Sequence, residues 1–147
     1  MESIKIHGKQ YVLVNSRIIE FRTNPQYKGY GLKTKKVKDE WFENKSKDTG
    51  ELFEDNRVEF KCYIYDPSGN LVSTGTAREL KSSSYINATS HVENCETSAV
   101  GRALGFLGIG IDTSIATAEE VQNAQLNQMK IKSKQYNNSN KISNDRF

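Results

Sequence analysis

Two prolines, two cysteines and two histidines are all that the 147 residues contain of those types. So little cysteine excludes a disulfide-stapled fold. Cys62 and Cys95 both stand at apolar positions and read as buried, reduced thiols of a cytosolic protein. So little histidine argues against a metal centre. His91 and Cys95 stand four residues apart, with His7 and Cys62 as distant candidates, but no C-x-x-C or H-E-x-x-H spacing accompanies them. A buried thiol and a surface imidazole are expected, and no metal. No G-x-x-x-x-G-K-[ST] loop is present. The glycines of 101–110 fall within and after a helical pattern, not before it as a dinucleotide fingerprint requires. Glu93 and Glu96 read as a capping pair before a catalytic one. No enzyme and no cofactor are expected. No apolar run approaches a membrane span, and the first ten residues hold no signal-peptide apolar core, so a soluble intracellular protein is expected.

A length of 147 residues is enough for one domain with a real core and not comfortably for two; hydrophobic content is low at 35%, with polar ends accounting for much of that. Residues 1–132 are expected to form that domain. Residues 133–147, rich in Asn, Ser and Lys, have almost nothing to bury and read as a disordered tail.

Net charge is only +3, but it is unevenly spread. Residues 28–47 carry seven lysines against Asp39, Glu40 and Glu43, and residues 129–147 carry five cations against Asp145. Each segment is therefore +4, leaving −5 on the remainder. Basic segments on an acidic domain suit a polyanion partner, although solvated lysine-rich surfaces look the same.

The organising stretch is 86–121, INATSHVENCETSAVGRALGFLGIGIDTSIATAEEV. Ser90 and Glu93 form a capping box, and Val92, Cys95, Ala99, Ala103 and Phe106 or Leu107 make an apolar stripe at helical period. Gly108 is placed to end the helix, and Thr117 with Glu120 to start another through Val121, Ala124 and Leu126. Gly101 and Gly105 lie one turn apart inside the helix, where each costs about 1 kcal/mol relative to Ala. They imply close approach by a sheet, a neighbouring subunit or a ligand backbone. Arg102 is the single long cation on the polar face, either a plain exposed arginine or a phosphate contact.

Upstream, 11–14 reads as a short strand after a His7-Gly8 turn. Asn15 is expected to cap a short helix that buries Ile18, Ile19 and Phe21 and stops at Asn24-Pro25. Residues 27–31 read as a mobile aromatic and glycine segment. Residues 32–42 read as a strand with Lys33 and Lys35 on one face and Lys36 and Lys38 on the other, before a turn-like 45–50. The clearest strand is 57–65, where Val58, Phe60, Cys62 and Ile64 alternate with Arg57, Glu59, Lys61, Tyr63 and Tyr65. Asp66-Pro67-Ser68-Gly69 turns the chain into a partner strand at 71–80. The polar-facing set is Arg57, Lys61, Tyr63 and Tyr65, with Arg78 added from the partner. Cations interleaved with aromatics on one sheet face suit single-stranded nucleic acid, although exposed tyrosines also reflect plain β propensity. The expected fold class is α+β: a curled antiparallel sheet packed on a central long helix, in β-β-β-α order.

Asn87-Ala88-Thr89-Ser90 followed by Glu93-Asn94-Cys95-Glu96-Thr97-Ser98-Ala99-Val100-Gly101-Arg102-Ala103-Leu104 resembles a signature of short bacteriophage recombination proteins. Its Gly-Arg-Ala-Leu and the Gly-Phe-Leu-Gly-Ile-Gly that follow are similar to the helix of the essential recombination function (Erf) annealing proteins. More remotely, they resemble the lysine/arginine-Ala-Leu helix of the eukaryotic Rad-fifty-two recombinase. Tyr11-Val-Leu-Val, Arg17 and Phe21-Arg22 are similar to the same phage group. The resemblance implies a homo-oligomer, often a ring or filament, that binds single-stranded DNA without ATP and anneals complementary strands. Its setting would be DNA recombination, repair or replication in the bacterial host cytoplasm, with a host replication or recombination protein as a further partner. Only Arg102 carries over at a motif position. The expected nucleic-acid-binding residues are Lys33, Lys35, Lys36, Lys38, Arg57, Lys61, Tyr63, Tyr65, Arg78 and Arg102, with Gly101 and Gly105 for helix packing or oligomer contact. Two other readings are a single-strand coating protein without annealing activity and a protein–protein module acting on a host factor.

Overall fold

The computed structural model describes residues 1–83, 85–126 and 128–129; the expected disordered tail lies outside them. The fold is α+β. Strands β1 (Ser3–Ile6) and β2 (Lys9–Val12) form a small hairpin about His7 and Gly8, whose φ values of 49° and 81° suit a tight two-residue turn. Val14, expected at the end of that strand, instead opens helix α1 (Val14–Thr23). Then come β3 (Gly31–Lys45), β4 (Leu52–Tyr65) and β5 (Leu71–Leu80), one antiparallel sheet in that order. Helix α2 (Tyr85–Leu107) follows, and a last helix, α3, covers 118–126.

The alternation on β4 works as read. Val58, Phe60, Cys62 and Ile64 are buried, and α2 covers them with Cys95, Ala99, Ala103 and Leu104. Helix and sheet meet closely because Gly75 on β5 has no side chain. A Cβ there would lie 2.4 Å from both the Ala99 carbonyl oxygen and the Ala103 amide nitrogen. Ser73 Oγ donates to the Ala103 carbonyl at 2.7 Å, and the Cys95 thiol donates to the Ala77 carbonyl at 3.2 Å. Burial pushes the Cys62 thiol up to about 12 and the Cys95 thiol to about 11, so both stay protonated.

Helix α2 begins six residues before the first helical position that the Ser90 cap implies, but its path breaks at Ser90, which leaves helical geometry at φ −138°, ψ 21°. Of the two stripe alternatives, Leu107 packs on the core and Phe106 is exposed. At the far end, Gly108 takes φ 110°, its amide donates to the Gly105 carbonyl, and the Ile109 amide donates to that of Leu104. These paired bonds satisfy the last carbonyls of the helix. At α3, the Glu120 amide donates to Thr117 Oγ1 at 3.4 Å.

Three upstream expectations change. Helix α1 buries Val14, Arg17 and Phe21 and leaves Ile18 and Ile19 exposed. Its first amide is capped not by Asn15 but by the Glu119 carboxylate of α3, at 3.2 Å. Tyr27 and Tyr30 pack against Phe21, with ring centroids 5.7 and 6.4 Å away, so 27–31 is an aromatic cluster rather than a mobile segment. His91 is buried, not a surface imidazole. Its Nε2 donates to Asn56 Oδ1 at 2.5 Å, while Asn56 Nδ2 donates to Asp39.

Among the described residues, Arg17 is the largest fully buried side chain, and it was absent from every core expectation. It donates to the carbonyls of Gly101 (2.7 Å), Gly110 (3.1 Å) and Ser114 (3.1 Å). Burial lowers its pKa, and the charges of Glu120 and Glu119 oppose that fall. The Gly101 and Gly105 face therefore admits α1, together with Thr117 and Ile115. A Cβ on Gly101 would lie 2.8 Å from Val14 Cγ2, and one on Gly105 would lie 2.7 Å from Arg17 Nη1.

Candidate nucleic-acid interface

Among the described residues, helices pack on one face of the three-stranded sheet only. Residues directly opposite in an antiparallel pair share a face, so the register defines the open one. Tyr65, Tyr63, Lys61, Glu59 and Arg57 run down its centre on β4. Opposite them on β3 lie Gly31, Lys33, Lys35, Lys38 and Glu40, and on β5 Thr74, Thr76, Arg78 and Leu80 face Tyr63, Lys61, Glu59 and Arg57.

A β-bulge at Val37 alters the lysine pattern. Strict alternation puts Lys36 and Lys38 together behind Lys33 and Lys35. The extra residue instead returns Lys38 to the open face, opposite Glu59, and leaves Lys36 alone on the other, opposite Phe60. Lys36 there pairs with Asp39 at 2.8 Å; that contact and the Asn56 amide hold the Asp39 carboxyl below its ordinary range. Nothing in the alternation signals this, because Val37 looks like one more apolar strand residue.

The open face thus gathers six of the expected cations (Lys33, Lys35, Lys38, Arg57, Lys61 and Arg78) against Glu40 and Glu59, a net charge of +4. Glu40 sits 3.7 Å from Lys38 and 3.8 Å from Arg57. Lys35 and Lys61 are directly opposite, a like-charge pair that costs the sheet stability. The Tyr63 and Tyr65 rings lie nearly parallel, 16° apart with centroids 6.5 Å apart, and Lys61 Nζ stands 5.5 Å from the Tyr63 ring. The arrangement offers several ammonium and guanidinium donors around two ring faces.

Arg102 does not join this set. It lies on α2, behind the covered face, with its guanidinium 3.8 Å from Glu120 and 5.4 Å from the Phe106 ring. Sequence reasoning missed Thr74 and Thr76, which complete the open face, because their place depends on the β4–β5 register.

Beyond the Arg57–Leu80 pair β5 ends, and β3 and β4 continue as a two-stranded arm, residues 41–56. At its base the buried Asp55 carboxylate accepts hydrogen bonds from Asn44, Ser82 and the Asn56 amide. Burial alone would raise its pKa, but these bonds outweigh it and hold the group low.

Among the described residues, no helix is long and apolar enough to cross a membrane. Comparison with protein-family models, curated proteins and solved structures finds no match.

Proposed function

We propose that the open sheet face binds single-stranded nucleic acid, and that the protein is a phage-type, ATP-independent single-strand DNA binding and annealing protein working in the bacterial cytoplasm. The observation that carries the binding is the Lys35–Lys61 pair at the centre of an uncovered face with Tyr63 and Tyr65 beside it. A phosphate between the two ammonium groups relieves their repulsion, and a base stacks on a half-buried ring. Bases left partly outward remain free to pair with a second strand, which is a passive route to annealing. Annealing itself, and assembly of copies into a ring or filament, rest on the resemblance of 86–121 to the Erf-like proteins.

The test is binding of a labelled oligothymidylate followed by fluorescence anisotropy across a salt series. Each neutralised phosphate is expected to add about 0.7 to the log–log salt slope, so three or four contacts give a slope near −2 to −3. A flat salt dependence overturns the reading. Mixing complementary strands with and without the protein then separates annealing from simple coating.

A further inference from the structure

The open face is not uniform along its length. The half next to the Asp66–Gly69 turn carries Lys33, Lys35 and Lys61 beside Tyr63 and Tyr65, and no strand residue on it is a carboxylate. The half from Glu59 outward carries Lys38, Arg57 and Arg78 against Glu40 and Glu59. Three cations stand alone in the first half, for +3, and three stand against two carboxylates in the second, for +1.

The cations of the two halves also differ in their neighbours. Glu59 is directly opposite both Lys38 and Arg78, while Glu40 lies 3.7 Å from Lys38 and 3.8 Å from Arg57. Every cation of the second half therefore has a carboxylate beside it within the sheet. Among the described residues, neither Lys33, Lys35 nor Lys61 pairs with one. Past Tyr65 the next carboxylate along the chain is Asp66, which accepts the Ser68 and Asn70 amides of its own turn. One flank of Tyr65 is open as well. Gly31 stands opposite it, and a Cβ on Gly31 would meet nothing within 4 Å.

We infer that the single strand seats only on the half of the face next to the turn, with phosphates at Lys33, Lys35 and Lys61 and bases at Tyr63 and Tyr65, and that Glu40 and Glu59 set this limit. The inference rests on the proposed function of the face. A phosphate at Lys33, Lys35 or Lys61 displaces only water and counter-ions. A phosphate at Lys38, Arg57 or Arg78 comes to lie beside a carboxylate as well. Exposed ion pairs are individually weak, so breaking one is no barrier. The barrier is the carboxylate charge, which stays in place and repels the phosphate once the pair is broken. Three ammonium groups hold a segment of about three nucleotides per copy, one phosphate to each.

Oligothymidylate anisotropy across a salt series tests this on variants whose folding is checked by circular dichroism. Wild type is expected to give a slope near −2, three contacts at about 0.7 each. Lys33→Gln and Lys35→Gln are each expected to make it shallower by about 0.7, whereas Lys38→Gln and Arg78→Gln leave it unchanged. Glu40→Gln combined with Glu59→Gln frees Lys38, Arg57 and Arg78. That variant is expected to bind more tightly and to steepen the slope by about 2, toward −4. Gly31→Val fills the space beside Tyr65 and is expected to weaken binding with the slope unchanged, because a stacked base and not a phosphate is lost. A slope shallower by about 0.7 in Lys38→Gln or Arg78→Gln means that the strand runs the whole face, and it overturns the inference. A double glutamine variant that matches wild type overturns it too, since the carboxylates then limit nothing. Wild-type affinity in Gly31→Val removes the base from Tyr65 and overturns the seat. In these three cases wild type still binds and the proposed function stands. A wild type without salt-dependent binding fails the proposed function itself, and the inference falls with it.

Discussion

Arg17 shows how one residue can decide what its neighbours must be. Its guanidinium reaches the Gly101 carbonyl from α1, and that approach exists because Gly101 and Gly105 carry no side chains. Alanine at either position is the better helix former by about 1 kcal/mol, yet overpacking costs about 1 to 3 kcal/mol. Both substitutions are expected to lower the melting temperature. Gly101→Ala is expected to do so at least as much as Gly105→Ala, because its new methyl meets the stiff, buried Val14. The clash is within one chain, so the double variant is expected to unfold rather than release a folded monomer. A higher melting temperature for both single variants refutes the packing.

At the scale of elements, α3 is held to the rest of the domain by carboxylates with opposite fortunes. Glu119 caps α1, whereas Glu120 is half-buried and one of its oxygens is buried with no hydrogen-bond partner. Burial raises the Glu120 pKa above its ordinary 4.5, and the attraction of Arg102 and Arg17 does not cancel the rise. A group whose folded pKa is raised contributes stability below the unfolded value and loses it as pH climbs through the folded one. Glu120→Gln removes that loss. The melting temperature of the variant relative to wild type is therefore expected to rise between pH 4 and pH 7. A difference that stays constant across that range overturns the assignment.

For the whole molecule, the sheet separates two groups of cations that composition lumps together. Arg102 lies behind it with Glu120, and Lys61 lies in front beside Tyr63. Arg102→Ala is accordingly expected to leave oligonucleotide affinity near wild type. Lys61→Ala is expected to weaken it and reduce the salt slope by about 0.7 for one lost phosphate contact. The reverse ranking, measured by anisotropy on folded variants, moves the interface to the helical side.

Much of the architecture was legible in the chain because it depends on short-range periodicity. Alternation over 57–65, the Asp66–Gly69 turn, the strand at 71–80 and the apolar stripe on α2 all appear where their spacing implies. The Gly108 stop is equally local, since one residue with positive φ and two backbone bonds produce it. The buried arginine was not legible, because its partners are carbonyls 84 to 97 residues away and backbone oxygens leave no mark in a sequence. Nor was the return of Lys38 to the open face, which the bulge at Val37 decides through pairing with β4. Residue spacing alone determined that the chain holds a half-buried sheet with cations and tyrosines on its polar side. Only tertiary structure decided which cations share that side, because strand register and bulges are settled by the pairing of distant segments.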